Sequence, residues 1–196
     1  MKALVIVDVQ NDFLINGSLE VPDGNDVIEP INQIIKNYEL VVATKDWHLL
    51  NHISFATNHP GKKIGDVVKI GDLDQILWPK HCIQESKGSD FPMTLNFKTI
   101  NKIIYKGINS KIDSYSGFND NGKIRSTGLS DYLKANNVTS VDYVGLATEY
   151  CVKFTVFDSI DEGFKTRVIL NCIKGIDFEE SNKALNEMQS KGVDLL

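Results

Sequence analysis

The stretch "VDYVGLATEYCVKF", Val141–Phe154, decides the fold. Its first half, "VDYVGLA", reads as a buried strand. A helix over residues 150–163 follows at once. A strand running into a helix across a short turn is half of a βαβ unit, and such units build parallel sheets. Working outward, "KALVIVDV" (2–9) is a continuous apolar run that suits a strand buried on both faces. "ELVVATKD" (39–46), "KIIYKG" (102–107) and "TRVILNC" (166–172) read as further strands, and "VDLL" at the end as a short last one. Residues 26–37 place Val27, Ile31, Ile34 and Ile35 on one helical stripe. Helices are also predicted over 126–136 and 179–190. The long irregular region in the middle carries one short strand, around Val67 to Ile70. This alternation predicts an open α/β sandwich with helices on both faces of the sheet, as one domain over residues 1–196. In such sheets ligands bind outside the carboxyl ends of the strands.

Composition narrows the function. With 42% hydrophobic and 24% charged residues the chain is an ordinary globular one. Its net charge of −5 and lack of a basic run argue against nucleic-acid binding. No apolar run approaches the roughly 20 residues of a membrane span. The first apolar run stops at Asp8, too soon for a signal peptide. Three cysteines without paired spacing predict free thiols in a reducing, cytoplasmic setting. The expected partner is a small molecule, and homo-oligomerisation is left open.

Asp8 ends the first strand, Lys106 another, and Cys151 follows the "VDYVGLA" strand. In a parallel sheet all three project from one edge. An acid, a base and a thiol together make a nucleophilic site. A thiol in the first turn of a helix meets unpaired N–H groups and the positive end of the dipole, both favouring thiolate. Thr148 is the expected helix cap. Taken singly, Cys151 reads equally as a buried structural cysteine and Lys106 as a surface lysine; the shared edge is what joins them.

All four histidines lie between positions 48 and 81. In extended "TKDWH", Asp46 and His48 point to the same side, and "WPKHC" can return His81. An Asp and two His with open positions suit a divalent metal: zinc first, iron or manganese next. His52 is a further candidate ligand, whereas His59 reads as a loop residue. Phe13, Leu19, Trp78 and Tyr115 lie where they can enclose a flat ring.

Together "VDVQNDF", "TKDWH", "NHISF", "WPKHC", "YKG", "YSGF" and "GLATEYCV" resemble the nicotinamidases, the metal-containing branch of the isochorismatase-like cysteine hydrolases. The resemblance implies a three-layer fold around a six-stranded, mostly parallel sheet. It implies Asp8, Lys106 and Cys151 as catalytic triad and Asp46, His48 and His81 as ligands of one divalent metal. It further implies Phe13, Trp78 and Tyr115 as ring contacts and a cis peptide at Leu146–Ala147. The implied reaction is nicotinamide hydrolysis to nicotinate and ammonia through a thioester, with the N–H groups of Ala147 and Cys151 holding the oxyanion. Tyr150 stands where some relatives carry histidine and bears on substrate choice. The alternatives are a related hydrolase for another amide or carbamoyl compound, an iron oxygenase built on the Asp and two His, and an inactive fold used for binding.

Overall fold

The computed structural model describes residues 1–196. Its main sheet has six strands: β1 (Lys2–Val7), β2 (Leu40–Asp46), β5 (Lys102–Lys106), β6 (Ser140–Leu146), β7 (Lys165–Lys174) and β8 (Asp194–Leu195). They are all parallel, in the order β5-β2-β1-β6-β7-β8. From β1 the chain builds outward to β2 and β5, then returns through β6 to β7 and β8. The order therefore reverses between β1 and β6, where a crevice opens at the carboxyl ends.

Burial follows the pleat. Ala3, Val5 and Val7 face one side of β1, packed with residues of α2 (Leu129–Ala135), α3 (Lys153–Asp161) and α4 (Phe178–Ser190). Leu4 and Ile6 face the other side, against α1 (Ile28–Ile34) and irregular segments carrying Phe13, Leu14 and Leu95. Both faces are thus covered, which is why the strands read as unbroken apolar runs.

Three local expectations are corrected. The middle region carries two strands, β3 (Val67–Ile70) and β4 (Leu73–Ile76), paired as an antiparallel hairpin apart from the main sheet. "LDQI" is too polar to announce a strand by itself. The helix after β6 begins as a π turn, Thr148–Val152, before α3 proper. Thr148 does not cap it: Ala147 is the N-cap, and no side chain bonds the turn there. The Leu146–Ala147 peptide is cis. Gly145, at φ 114°, is required, because a Cβ there would lie 2.0 Å from the Val7 carbonyl oxygen.

Candidate active site and metal centre

Asp46 and Lys106 are register partners at the ends of β2 and β5. Asp8 follows β1 in the left-handed region, at φ 48°, which an aspartate tolerates better than most residues. Cys151 comes from the π turn after β6. The structure brings these four side chains together, all buried. Lys106 Nζ lies 2.9 Å from Asp8 Oδ2 and 3.3 Å from Cys151 Sγ. It also bonds Asp46 Oδ1 and donates to the Ser114 carbonyl at 2.9 Å.

The two oxygens of Asp8 differ. Oδ1 accepts the Thr44 hydroxyl at 2.5 Å. Oδ2 makes no hydrogen bond. Its contact is the ion pair with Lys106, and a carboxylate oxygen carries two lone pairs, so Oδ2 keeps an acceptor free for a proton. Burial pushes the Asp8 carboxyl up and Asp46 adds to this, while Lys106 pulls it down; the net direction is upward. Burial opposes charge on Lys106 too, but Asp46 and Asp8 hold its ammonium well above the usual range. The thiol departs from expectation. Burial drives Cys151 well up, and the opposing Lys106 does not cancel it. Desolvation of the buried sulfur outweighs the lysine, and the Asp8 and Asp46 carboxylates add to it. Cys151 therefore rests as a thiol.

Beside this cluster Asp46 Oδ2 lies 3.5 Å from His48 Nε2 and 3.6 Å from His81 Nε2. Each imidazole is oriented from behind. His48 Nδ1 donates to the Gly107 carbonyl at 3.0 Å and His81 Nδ1 to the Pro79 carbonyl at 2.8 Å. A carbonyl can only accept, so both rings hold their proton on Nδ1 and present the Nε2 lone pair. His48 Nε2, fully buried, has no hydrogen-bond partner. Tetrahedral ligands about 2.0–2.2 Å from an ion stand roughly 3.4 Å apart, close to these separations. The three residues fit a divalent cation. Gly107 makes room for them: a Cβ on it would lie 2.3 Å from the His48 ring.

His52 is oriented differently. Its Nδ1 meets the Ser54 hydroxyl at 2.7 Å, and its Nε2 is buried without a partner. Its metal-ligating atom groups with those of His48 and Asp113. Burial, then His48, lowers its pKa to about 4. His59 is tied to the Ile53 carbonyl, away from this cluster.

A cavity joins the two clusters. Phe13, Leu19, Trp78, Tyr115 and Tyr150 line it, together with Asp46, His81, Ala147 and Cys151. Trp78 Nε1 donates to the Tyr115 hydroxyl at 3.1 Å, and Trp78 stands edge-on to Tyr150. The walls are flat and largely apolar, suited to an aromatic ring.

Sequence reading missed several residues here. Asp113 and Ile176 also line the cavity. Gln10 clamps Asp46 by its main chain: its amide oxygen accepts from Asp46 N, and its amide nitrogen donates to Asp46 O, both at 2.8 Å. Glu149, buried, accepts N–H bonds from Ile176 and Asp177, each 2.8 Å, and so holds the wall that carries Ile176. Asp12 accepts the Cys82 N–H at 2.7 Å from a distant loop. Cys82 sits at φ 46°, in the left-handed region. All three cysteines are unpaired, and β7 continues past Cys172 to Lys174.

A buried thiol, acid and lysine at the carboxyl edge of a parallel sheet make an arrangement suited to nucleophilic hydrolysis. The isochorismatase domain model matches residues 2–196, and the chain belongs to that family. Among its relatives is the nicotinamidase of Escherichia coli K12, 39% identical over 200 residues covering 99% of this chain and 93% of the other. The Acinetobacter baumanii nicotinamidase/pyrazinamidase structure superposes with a TM-score of 0.96 at 45% identity, covering 100% of this chain and 95% of that one. The Pyrococcus horikoshii pyrazinamidase, solved in complex with zinc, gives 0.82 at 35% identity over 100% and 98%.

Proposed function

We propose that this protein is a nicotinamidase, a cysteine amidohydrolase that converts nicotinamide and water into nicotinate and ammonia in pyridine-nucleotide salvage. The observation that carries the reading is Lys106 Nζ, 3.3 Å from Cys151 Sγ and 2.9 Å from Asp8 Oδ2, in a cavity shared with the Asp46–His48–His81 cluster. One catalytic domain, residues 1–196, in the cytoplasm completes the reading.

The ring lies among Phe13, Leu19, Trp78, Tyr115 and Tyr150, with its carboxamide toward Cys151. Asp46, His48 and His81 would hold a divalent metal, zinc by their donor set, which when bound offers a Lewis-acidic partner to a ring nitrogen. Because Cys151 rests as a thiol, attack requires a base. Asp8 Oδ2 takes the proton as sulfur bonds to the carboxamide carbon. Lys106 stabilises the developing thiolate. The N–H groups of Ala147 and Cys151 hold the oxyanion. Asp8 returns the proton to nitrogen, ammonia departs, and a thioester remains. Asp8 then deprotonates a water that attacks the thioester, releasing nicotinate and regenerating the thiol. The test is ammonia release from nicotinamide, with and without a chelator. Release is expected, and its suppression by the chelator with recovery on adding zinc. A folded, metal-replete chain that releases none refutes the assignment.

A further inference from the structure

Asp113 is a buried carboxylate without a cation. Its oxygens accept only from neutral donors, the Ser114 N–H at 2.8 Å and the Gln75 amide at 3.2 Å. Buried charges are ordinarily paired or bound to metal. Its neighbours on the inner side are His48 and His52, whose ligating atoms lie with its own within 4.8 Å of one another. Both imidazoles bury an Nε2 that nothing satisfies. His52 Nδ1 meets Ser54 Oγ at 2.7 Å and accepts the Ser54 N–H at 3.3 Å, so a cation on Nε2 requires the ring proton to move to Nδ1, from which it can be donated to the hydroxyl. Two imidazoles and one carboxylate form a donor set that zinc accepts with an open position.

We propose that the buried His48, His52 and Asp113 form a second position for a divalent cation, behind the cavity wall to which Asp113 belongs. His48 belongs to both donor sets. Its Nδ1 is committed to Gly107, so only one lone pair remains. The two positions are therefore alternatives, and one ion moves between them. They differ in electrostatics. At the first, Asp46 shares its charge with Lys106; at the second, no lysine competes for Asp113. An ion in the second position leaves Asp46 wholly to Lys106, so the two states of the cavity present different charge to Cys151. The proposal concerns the ion alone and stands independently of the substrate.

Equilibrium dialysis against zinc with elemental analysis reads this in a chain carrying Asp46→Asn and His81→Ala. These changes spare the Lys106–Asp8 pair. The variant should still bind zinc saturably, at least roughly tenfold more weakly than the unsubstituted chain. Adding Asp113→Asn should abolish that binding. A double variant with unchanged circular dichroism that holds no zinc overturns the proposal, as does binding that survives Asp113→Asn. If the double variant does not fold, cadmium NMR of the otherwise unsubstituted chain decides. The bound-cadmium resonance should shift on both Asp113→Asn and His52→Ala, and a resonance indifferent to Asp113→Asn overturns the proposal.

Discussion

The two ends of the sheet hold similar residues and do different things. At the amino end Asp142, buried in β6, receives Arg167 through two bonds of 2.6 and 2.7 Å, the Tyr38 hydroxyl, and Lys2 at 3.6 Å. At the carboxyl end Asp8, Asp46 and Lys106 are just as buried, but Asp8 Oδ2, His48 Nε2 and His52 Nε2 lack hydrogen-bond partners. A saturated ionic cluster staples strands together. An unsaturated one costs stability and keeps lone pairs for a proton, an ion or a substrate. Reactivity here lies in what the polar groups leave unmade, not in their number.

Substitutions at each end test this contrast. Cys151→Ala should lower ammonia release by roughly 10⁴-fold or more while leaving metal content and Tm unchanged. Release at near the parental rate would remove Cys151 as nucleophile. Asp142→Ala should do the reverse. With Arg167 and Tyr38 left unpaired it should cost about 3 kcal/mol in denaturant unfolding, with kcat in the folded fraction unchanged; a specific loss of kcat would break the comparison. Gly107→Ala pushes on the His48 ring and also strains a backbone at φ 63°. Metal affinity should drop about 10–100-fold, read by chelator competition. Glu149→Gln weakens the anchor of Ile176 and should raise KM several-fold with little change in kcat. An effect confined to kcat would place Glu149 elsewhere in the mechanism.

The pH profile sharpens the same point. Burial raises the Asp8 carboxyl above its ordinary value of 3.8, and only the unprotonated form accepts the thiol proton. Rate should therefore be retained above the raised Asp8 pKa and lost as pH falls through it. The acid limb of kcat/KM should lie above the ordinary carboxylate range. An acid limb at or below that ordinary value would mean that Asp8 is not the base.

Much of this was legible in the chain. Parallel strands covered on both faces must be apolar throughout, so "KALVIVDV" and "ELVVATKD" announced themselves. Asp8, Lys106 and Cys151 read together because strand ends of a parallel sheet share an edge, and Asp46 reads with His48 because residues two apart in extended backbone point to one side. The rest depended on contacts between residues far apart in sequence. Gln10 lies within a quoted motif, yet its partners are main-chain atoms of Asp46 and Ser89, which no side-chain pattern records. Asp113 lies in a polar loop where an acid is unremarkable until His48 and His52 are beside it. Thr148 suited a cap by residue type, but the π turn moved the N-cap to Ala147.

The sequence by itself determined which elements form and which chemical groups stand at one edge, because periodicity and strand direction are local properties. Only the tertiary structure decided the protonation of Cys151, the tautomers of His48 and His81, and which lone pairs stay free. Those depend on desolvation and on acceptors delivered from other parts of the chain. A residue's type states what it can bond; burial and neighbours determine which of those bonds are left open.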